Sequence, residues 1–145
     1  MNTTQLADKI VKFIRHYGPL SDEATDEQLK KMIIWYLYND RILLIYDNEF
    51  SRKNIVAVVT YHQIVSAKEA VSKRWPVEDK DGKILYVRHV VVHPLYQSAF
   101  FLRGLITYAV KVFPGIEYLY FERGLQESKA HVLSVKHYFK ETIHG

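Results

Sequence analysis

Between Ile84 and Val112 the hydrophobic pattern changes period, and one proline marks the change. Ile84 to Val92 is dense in β-branched residues and ends in His89-Val90-Val91-Val92. Such a run fits a strand, because branched side chains pack well on a pleated surface. Pro94 has no N–H to give a ladder, so the strand stops at His93. Apolar residues then return at Leu102, Leu105, Ile106 and Ala109, which predicts a helix over Ser98 to Val112. Phe113-Pro114-Gly115 ends that helix. Strand, short loop and helix start in that order is how many proteins hold a phosphate. Such loops are normally rich in glycine, yet this one reads Gln97-Ser98-Ala99-Phe100-Phe101.

The flanking segments supply the other layers. Leu6, Ile10, Phe13, Ile14 and Tyr17 make one apolar face over Thr4 to Tyr17, with Thr3 or Thr4 to cap it and Gly18-Pro19 to end it. Thr25-Asp26-Glu27-Gln28 is a capping-box pattern for a second helix over Asp26 to Tyr38, whose stripe is Leu29, Met32, Ile33 and Tyr36. Arg41 to Tyr46 and Ile55 to Gln63 read as strands joined by a polar hairpin connection. Ser66 to Lys83 reads as an exposed charged loop, with a short helix at Ala67 to Lys73 and a turn at Asp81-Gly82. Glu117 to Glu122 is a further strand. Gln126 to about His137 is expected to be helical, with Val132, Val135 and Phe139 on one side, and Tyr138 to His144 continues it or forms a last short strand. Helices interleaved with strands around one sheet make a layered α/β or α+β domain, expected to be single over residues 1–145.

Composition excludes several classes. With 145 residues, 48% of them hydrophobic and 25% charged, the chain can bury a substantial core. It has no cysteine, so disulfides, thiolate metal sites and a Cys nucleophile are ruled out. No stretch approaches the ~20 apolar residues of a membrane span. The start, Met1-Asn2-Thr3-Thr4-Gln5, shows no signal peptide, so a cytoplasmic protein is expected, with no membrane association. The net charge of +4 is spread out without a dense basic run, so no specific nucleic-acid binding is expected.

The element order, ααβββαβα, with the Val92–Gln97 stretch at its centre, resembles the GNAT acyltransferase fold: a mostly antiparallel central sheet flanked by helices, of α+β class. The family's central motif runs V-x-P-x-[YF]-[QR]-x-x-G-x-G/A and then an apolar helix. Val92-His93-Pro94-Leu95-Tyr96-Gln97 matches its opening without a gap, and Gly104-Leu105-Ile106 falls where members have a small residue and two aliphatic ones. The two glycine positions fall on Phe100 and Leu102. The family's usual first strand has no room before the first helix. In small size and eroded loop the chain also resembles short GNAT-like proteins encoded by tailed bacteriophages. A chain ending so soon after its last helix is expected to lack the family's final hairpin strands. That would leave a sheet edge open, for a second copy or another protein to cover.

The resemblance implies acetyl-CoA as the cofactor, with its pyrophosphate held by loop N–H groups. It places the cofactor contacts at Val90, Val92, Gln97, Ser98, Ala99, Phe101 and Arg103. Glycine lets the backbone approach phosphates closely, so Phe100 and Leu102 imply binding that is weak or absent. The family also needs a base to deprotonate an amine and an acid for the leaving thiolate. Glu122, at a strand end, and His89, with a pKa suited to neutral pH, are the base candidates. Tyr138 is the acid candidate on the last helix, and in another register Ser134 takes its place. Simpler roles stand beside these: a solvated strand end for Glu122 and a hydrogen-bonded sheet residue for His89. His89 and His93 can share a strand face, but no third ligand accompanies them, so no metal site is expected. Tyr118 and Tyr120 alternate with Leu119, which core packing explains better than a substrate cage. Three functions follow: an atypical N-acyltransferase, a non-catalytic GNAT-like binding or assembly module such as a virion or head-assembly component, or an α+β domain that only mimics the motif.

Overall fold

A computed structural model describes residues 2–18, 24–48, 50–66, 79–98, 103–104, 107–108, 111–113, 115–122 and 130–134. Backbone alone is described at 121–122 and 130–134. Two helices and five strands follow in order: α1 (Thr3–Tyr17), α2 (Asp26–Tyr38), β1 (Ile42–Tyr46), β2 (Ile55–Ile64), β3 (Ile84–Val92), β4 (Tyr118–Glu122) and β5 (Ala130–Ser134). Among the described residues the strands are hydrogen-bonded in the order β1-β2-β3-β4-β5. The chain forms two compact units: Met1–Tyr61 with His89–Gln97, and His62–Arg88 with Ser98–Gly145.

In the first unit both helices begin with a capping box. Asn2 caps α1 reciprocally with Gln5, one residue before the expected threonines, and Thr25 caps α2 with Gln28. Asn outranks Thr as a cap, and Gln5 supplies the return bond, which is why the helix starts there. Ala7, Ile10, Val11, Phe13 and Ile14 are the buried face of α1, and Leu29, Ile33 and Tyr36 that of α2. Arg15–Asp26 and Lys30–Asp8 pairs, at 2.8 and 2.9 Å, join the helices. β1 and β2 form an antiparallel hairpin, with Ile42 opposite Thr60. The Asn48 side chain accepts from the N–H groups of Phe50 and Ser51, which closes the hairpin tip. β2 is buried along nearly its whole length, as expected of a strand covered on both faces.

In the second unit β3 and β4 run parallel, with Ile84 to Val87 opposite Tyr118 to Phe121. Parallel neighbours need a crossover, and the crossover here is helical at residues 103–104, 107–108 and 111–112. The switch of period across Pro94 therefore has its structural counterpart. Ile64, Tyr86 and Tyr120 form a core cluster, with the two tyrosine rings edge-on at 5.3 Å. Tyr120 is buried and Tyr118, on the same strand face, is exposed, so core packing accounts for one of the two. The turn before β3 is held by Gln63, whose side-chain amide donates to the carbonyls of Lys80 and Gly82. The expected short helix at Ala67 to Lys73 lies outside the described residues.

The expected last helix is corrected at residues 130–134; the rest of it, and the segment Tyr138 to His144, lie outside the described residues. Residues 130–134 form β5, antiparallel to β4, with Val132 opposite Tyr120. Val132 and Leu133 suit a strand as well as a helix, and the backbone of β4 offers a ladder that local propensity cannot register. β5 pairs along all of β4, from Tyr118–Ser134 to Glu122–Ala130. No helix among the described residues is long and apolar enough to cross a membrane.

Candidate functional site

The end of β3 is where strand and helix exchange places. Within the second unit the parallel ladder with β4 ends, among the described residues, at Val87–Phe121. β3 itself continues to Val92. In the first unit, Val91 and Val92 are buried while Val90 beside them is 44% exposed.

The turn after β3 is closed by its own atoms. The His93 N–H donates to Val56 O at 2.8 Å. Pro94–Tyr96 forms a single 3₁₀ turn, with Leu95 N–H donating to His93 Nδ1 and Tyr96 N–H to His93 O. The Gln97 N–H reaches Pro94 O at 3.4 Å, and its side-chain amide donates to Val92 O at 3.0 Å. The N–H groups of Leu95, Tyr96 and Gln97 are therefore spent inside the turn. None of these three N–H groups is left for an anion.

The candidate residues divide as follows. Val90, Val92 and Gln97 lie together at the end of β3, and the last two are joined by a hydrogen bond. Ser98 and Arg103 are exposed, Arg103 on the helical crossover. Ala99, Phe101 and Tyr138 lie outside the described residues. Glu122 is the last residue of β4, with its backbone opposite Ala130. Ser134, the alternative acid, stands in β5 opposite Tyr118 and not on a helix.

His89 is held as a sheet residue. Thr60, fully buried, meets it twice: its Oγ1 accepts from the His89 N–H at 3.1 Å and lies 2.7 Å from Nδ1. The hydroxyl proton of Thr60 has no other acceptor among the described residues, so it points at Nδ1. His89 is thereby fixed with Nδ1 as acceptor and the proton on Nε2. Its lone pair is occupied, and its ring stands edge-on to Tyr36 at 6.3 Å. Sequence reasoning missed Thr60, because nothing local marks a strand threonine as the partner of a histidine in another strand. His93 lies past the strand end, and no cluster of His, Asp or Glu able to hold a metal occurs among the described residues.

No family model matches the chain, and no curated protein matches it in sequence. Solved structures do match. The chain is similar to the GNAT-like decarboxylase GphF in complex with isobutyryl-CoA, with a TM-score of 0.60 and 16% identity over 81% of this chain and 61% of that one. It is similar to the loading GNATL domain of CurA from Lyngbya majuscula, with a TM-score of 0.60 and 10% identity over 82% and 60% of the two chains. It is also similar to diaminobutyrate acetyltransferase EctA from Paenibacillus lautus, solved with L-2,4-diaminobutyric acid and coenzyme A, with a TM-score of 0.52 and 15% identity over 81% and 60%. The fold is therefore a GNAT-like α+β fold. The chain spans about 60% of the length of these three structures.

Proposed function

We propose that the chain binds an acyl-CoA-type thioester along the last residues of β3 and serves as an atypical N-acyltransferase. The observation that carries this is the exposed Val90 beside buried Val91 and Val92 at the end of β3, in a GNAT-like fold. Val90 supplies an apolar surface for the extended arm of such a ligand. Two of the similar structures hold CoA-type ligands, which supports the ligand class more directly than the reaction. With Phe100 and Leu102 at the glycine positions, and the N–H groups of Leu95 to Gln97 already engaged, pyrophosphate binding is weak. A dissociation constant of roughly millimolar corresponds to about 4 kcal/mol.

In the reaction an amine nitrogen attacks the thioester carbonyl and loses a proton, while the C–S bond breaks and the thiolate takes a proton. Glu122 at the end of β4 is the base in this reading, because the Thr60 hydroxyl engages the lone pair of His89. Tyr138 remains the acid implied by the family resemblance. Isothermal titration with acetyl-CoA tests binding, and thiol release with a panel of primary amines tests turnover. Millimolar binding that is lost in Val90→Glu, with slow thiol release lost in Glu122→Gln, is expected. No binding near 10 mM, a range corresponding to under ~3 kcal/mol, overturns the reading.

The engagement of His89 by Thr60 favours a second reading, in which the fold is kept as a non-catalytic binding or assembly module. Binding of acetyl-CoA with no thiol release from any amine would select it.

A further inference from the structure

The first unit contains a groove of about 440 Å³ that the acyl-CoA reading does not use. One wall is a run of aromatic rings: Phe13 and Tyr17 with centroids 5.0 Å apart, Tyr17 and His93 at 4.8 Å, and His93 and Tyr96 at 6.0 Å. Lys9 and Lys53 also line it. Lys9 Nζ donates to the carbonyls of Arg52 and Lys53, which fixes the ammonium in place. The same ammonium stands over the Tyr46 ring, 5.9 Å from its centroid. The Lys53 ammonium forms no ion pair among the described residues. Asp47, the acidic group of the groove among the described residues, takes the side-chain amide of Asn54 at 2.9 Å and neither lysine.

His93 adds a third donor. Its Nδ1 accepts from the Leu95 N–H at 3.1 Å, so that nitrogen carries the lone pair and Nε2 carries the proton. The Nε2–H has no protein partner among the described residues. The groove thus combines flat apolar walls with donors, and its lysines exceed its carboxylate by one. Flat walls select a ring, since offset and edge-on aromatic contacts add to simple burial. Unmatched donors with excess positive charge select an anionic acceptor.

We propose that this groove binds a small aromatic anion, a flat ring carrying a carboxylate or phosphate arm. The ring packs against Tyr17, His93 and Tyr96, and the arm reaches Lys53, Lys9 and the His93 Nε2–H. The site is independent of the acyl-CoA reading and would stand if that reading failed.

Amide-resolved NMR titrations of the full chain with benzoate, adenosine 5′-monophosphate and neutral benzamide test it. Shifts confined to the groove, with a dissociation constant of about 1 mM for the better anion, are expected. Benzoate as the tighter probe identifies a carboxylate source, and the nucleotide as the tighter probe identifies a phosphate source. Lys53→Glu should weaken binding about 5-fold by reversing one exposed charge. Tyr96→Ala should weaken it by a similar factor, while Lys31→Glu on the exposed side of α2 and Val90→Glu on β3 should leave it unchanged. Benzamide binding as well as benzoate, equal losses in Lys31→Glu and Lys53→Glu, or no localised shift with either anion would overturn the proposal.

Discussion

Replacing Thr60 by valine tests the reasoning about His89 most directly. Thr60 is fully buried and makes two hydrogen bonds to one residue, at 3.1 Å to its N–H and 2.7 Å to Nδ1. Valine keeps the branched shape and removes both. Each bond contributes about 1 kcal/mol net, and a donor or acceptor stranded away from water costs about 1–3 kcal/mol. His89 is only half-buried, so Nδ1 can regain water in part, which keeps the sum near the lower end. The new methyl group returns about 0.8 kcal/mol of burial. The expected loss is about 2 kcal/mol, measured by equilibrium urea unfolding at constant slope. Thr60→Ser keeps the hydroxyl and should lose only the methyl contribution, about 1 kcal/mol. Nitrogen NMR of the histidine ring should show the Nε2–H tautomer in the native chain. A valine variant within about 0.5 kcal/mol of the parent, or a serine variant less stable than the valine one, would refute the geometry.

Two glycines should respond in opposite ways to alanine. At Gly82 a Cβ would stand 2.4 Å from Ile64 O and 2.6 Å from its carbonyl carbon, both backbone, so Gly82→Ala should cost about 2 kcal/mol or more in urea unfolding. At Gly104, helical and with nothing within 4 Å of a built Cβ, alanine should stabilise by about 0.5–1 kcal/mol in the same assay. Val132→Pro removes an N–H from β5 opposite Tyr120 and should cost about 3 kcal/mol, with loss of amide-exchange protection in β4 as the readout. Unchanged protection would return that segment to the helical assignment.

Where the local pattern was strong, the fold was legible. The span of α2, the bounds of β3 and the capping box at Thr25 all follow from side chains acting within a few residues of themselves. The cap at Asn2 was one residue off because three cap-forming residues stand in a row there. β5 was not legible, because a short segment of mixed preference takes its structure from the strand beside it. The same limit applies to the site. Val90 and Val92 stood out by their place in the motif, and the structure puts them at the end of β3 with Gln97 bonded to Val92. The contact between Thr60 and His89 joins residues far apart in sequence, and only the pairing of strands brings it into being. The aromatic run from Phe13 through Tyr17 to His93 was equally hidden, since each ring reads locally as core or surface.

The self-closed turn after β3 bears on thermodynamic linkage. Because the Gln97 amide already caps Val92 O and the His93 ring already orders Leu95, the turn does not wait for a phosphate to acquire its shape. A ligand arriving there meets a preorganised edge and releases little ordering entropy as a penalty. Its effect on folding is then confined to mass action, RT ln(1 + [L]/Kd), which at a concentration equal to Kd is about 0.4 kcal/mol. Fold and ligand are only loosely coupled at this corner. The strand end keeps its form through its own hydrogen bonds, whatever binds beside it.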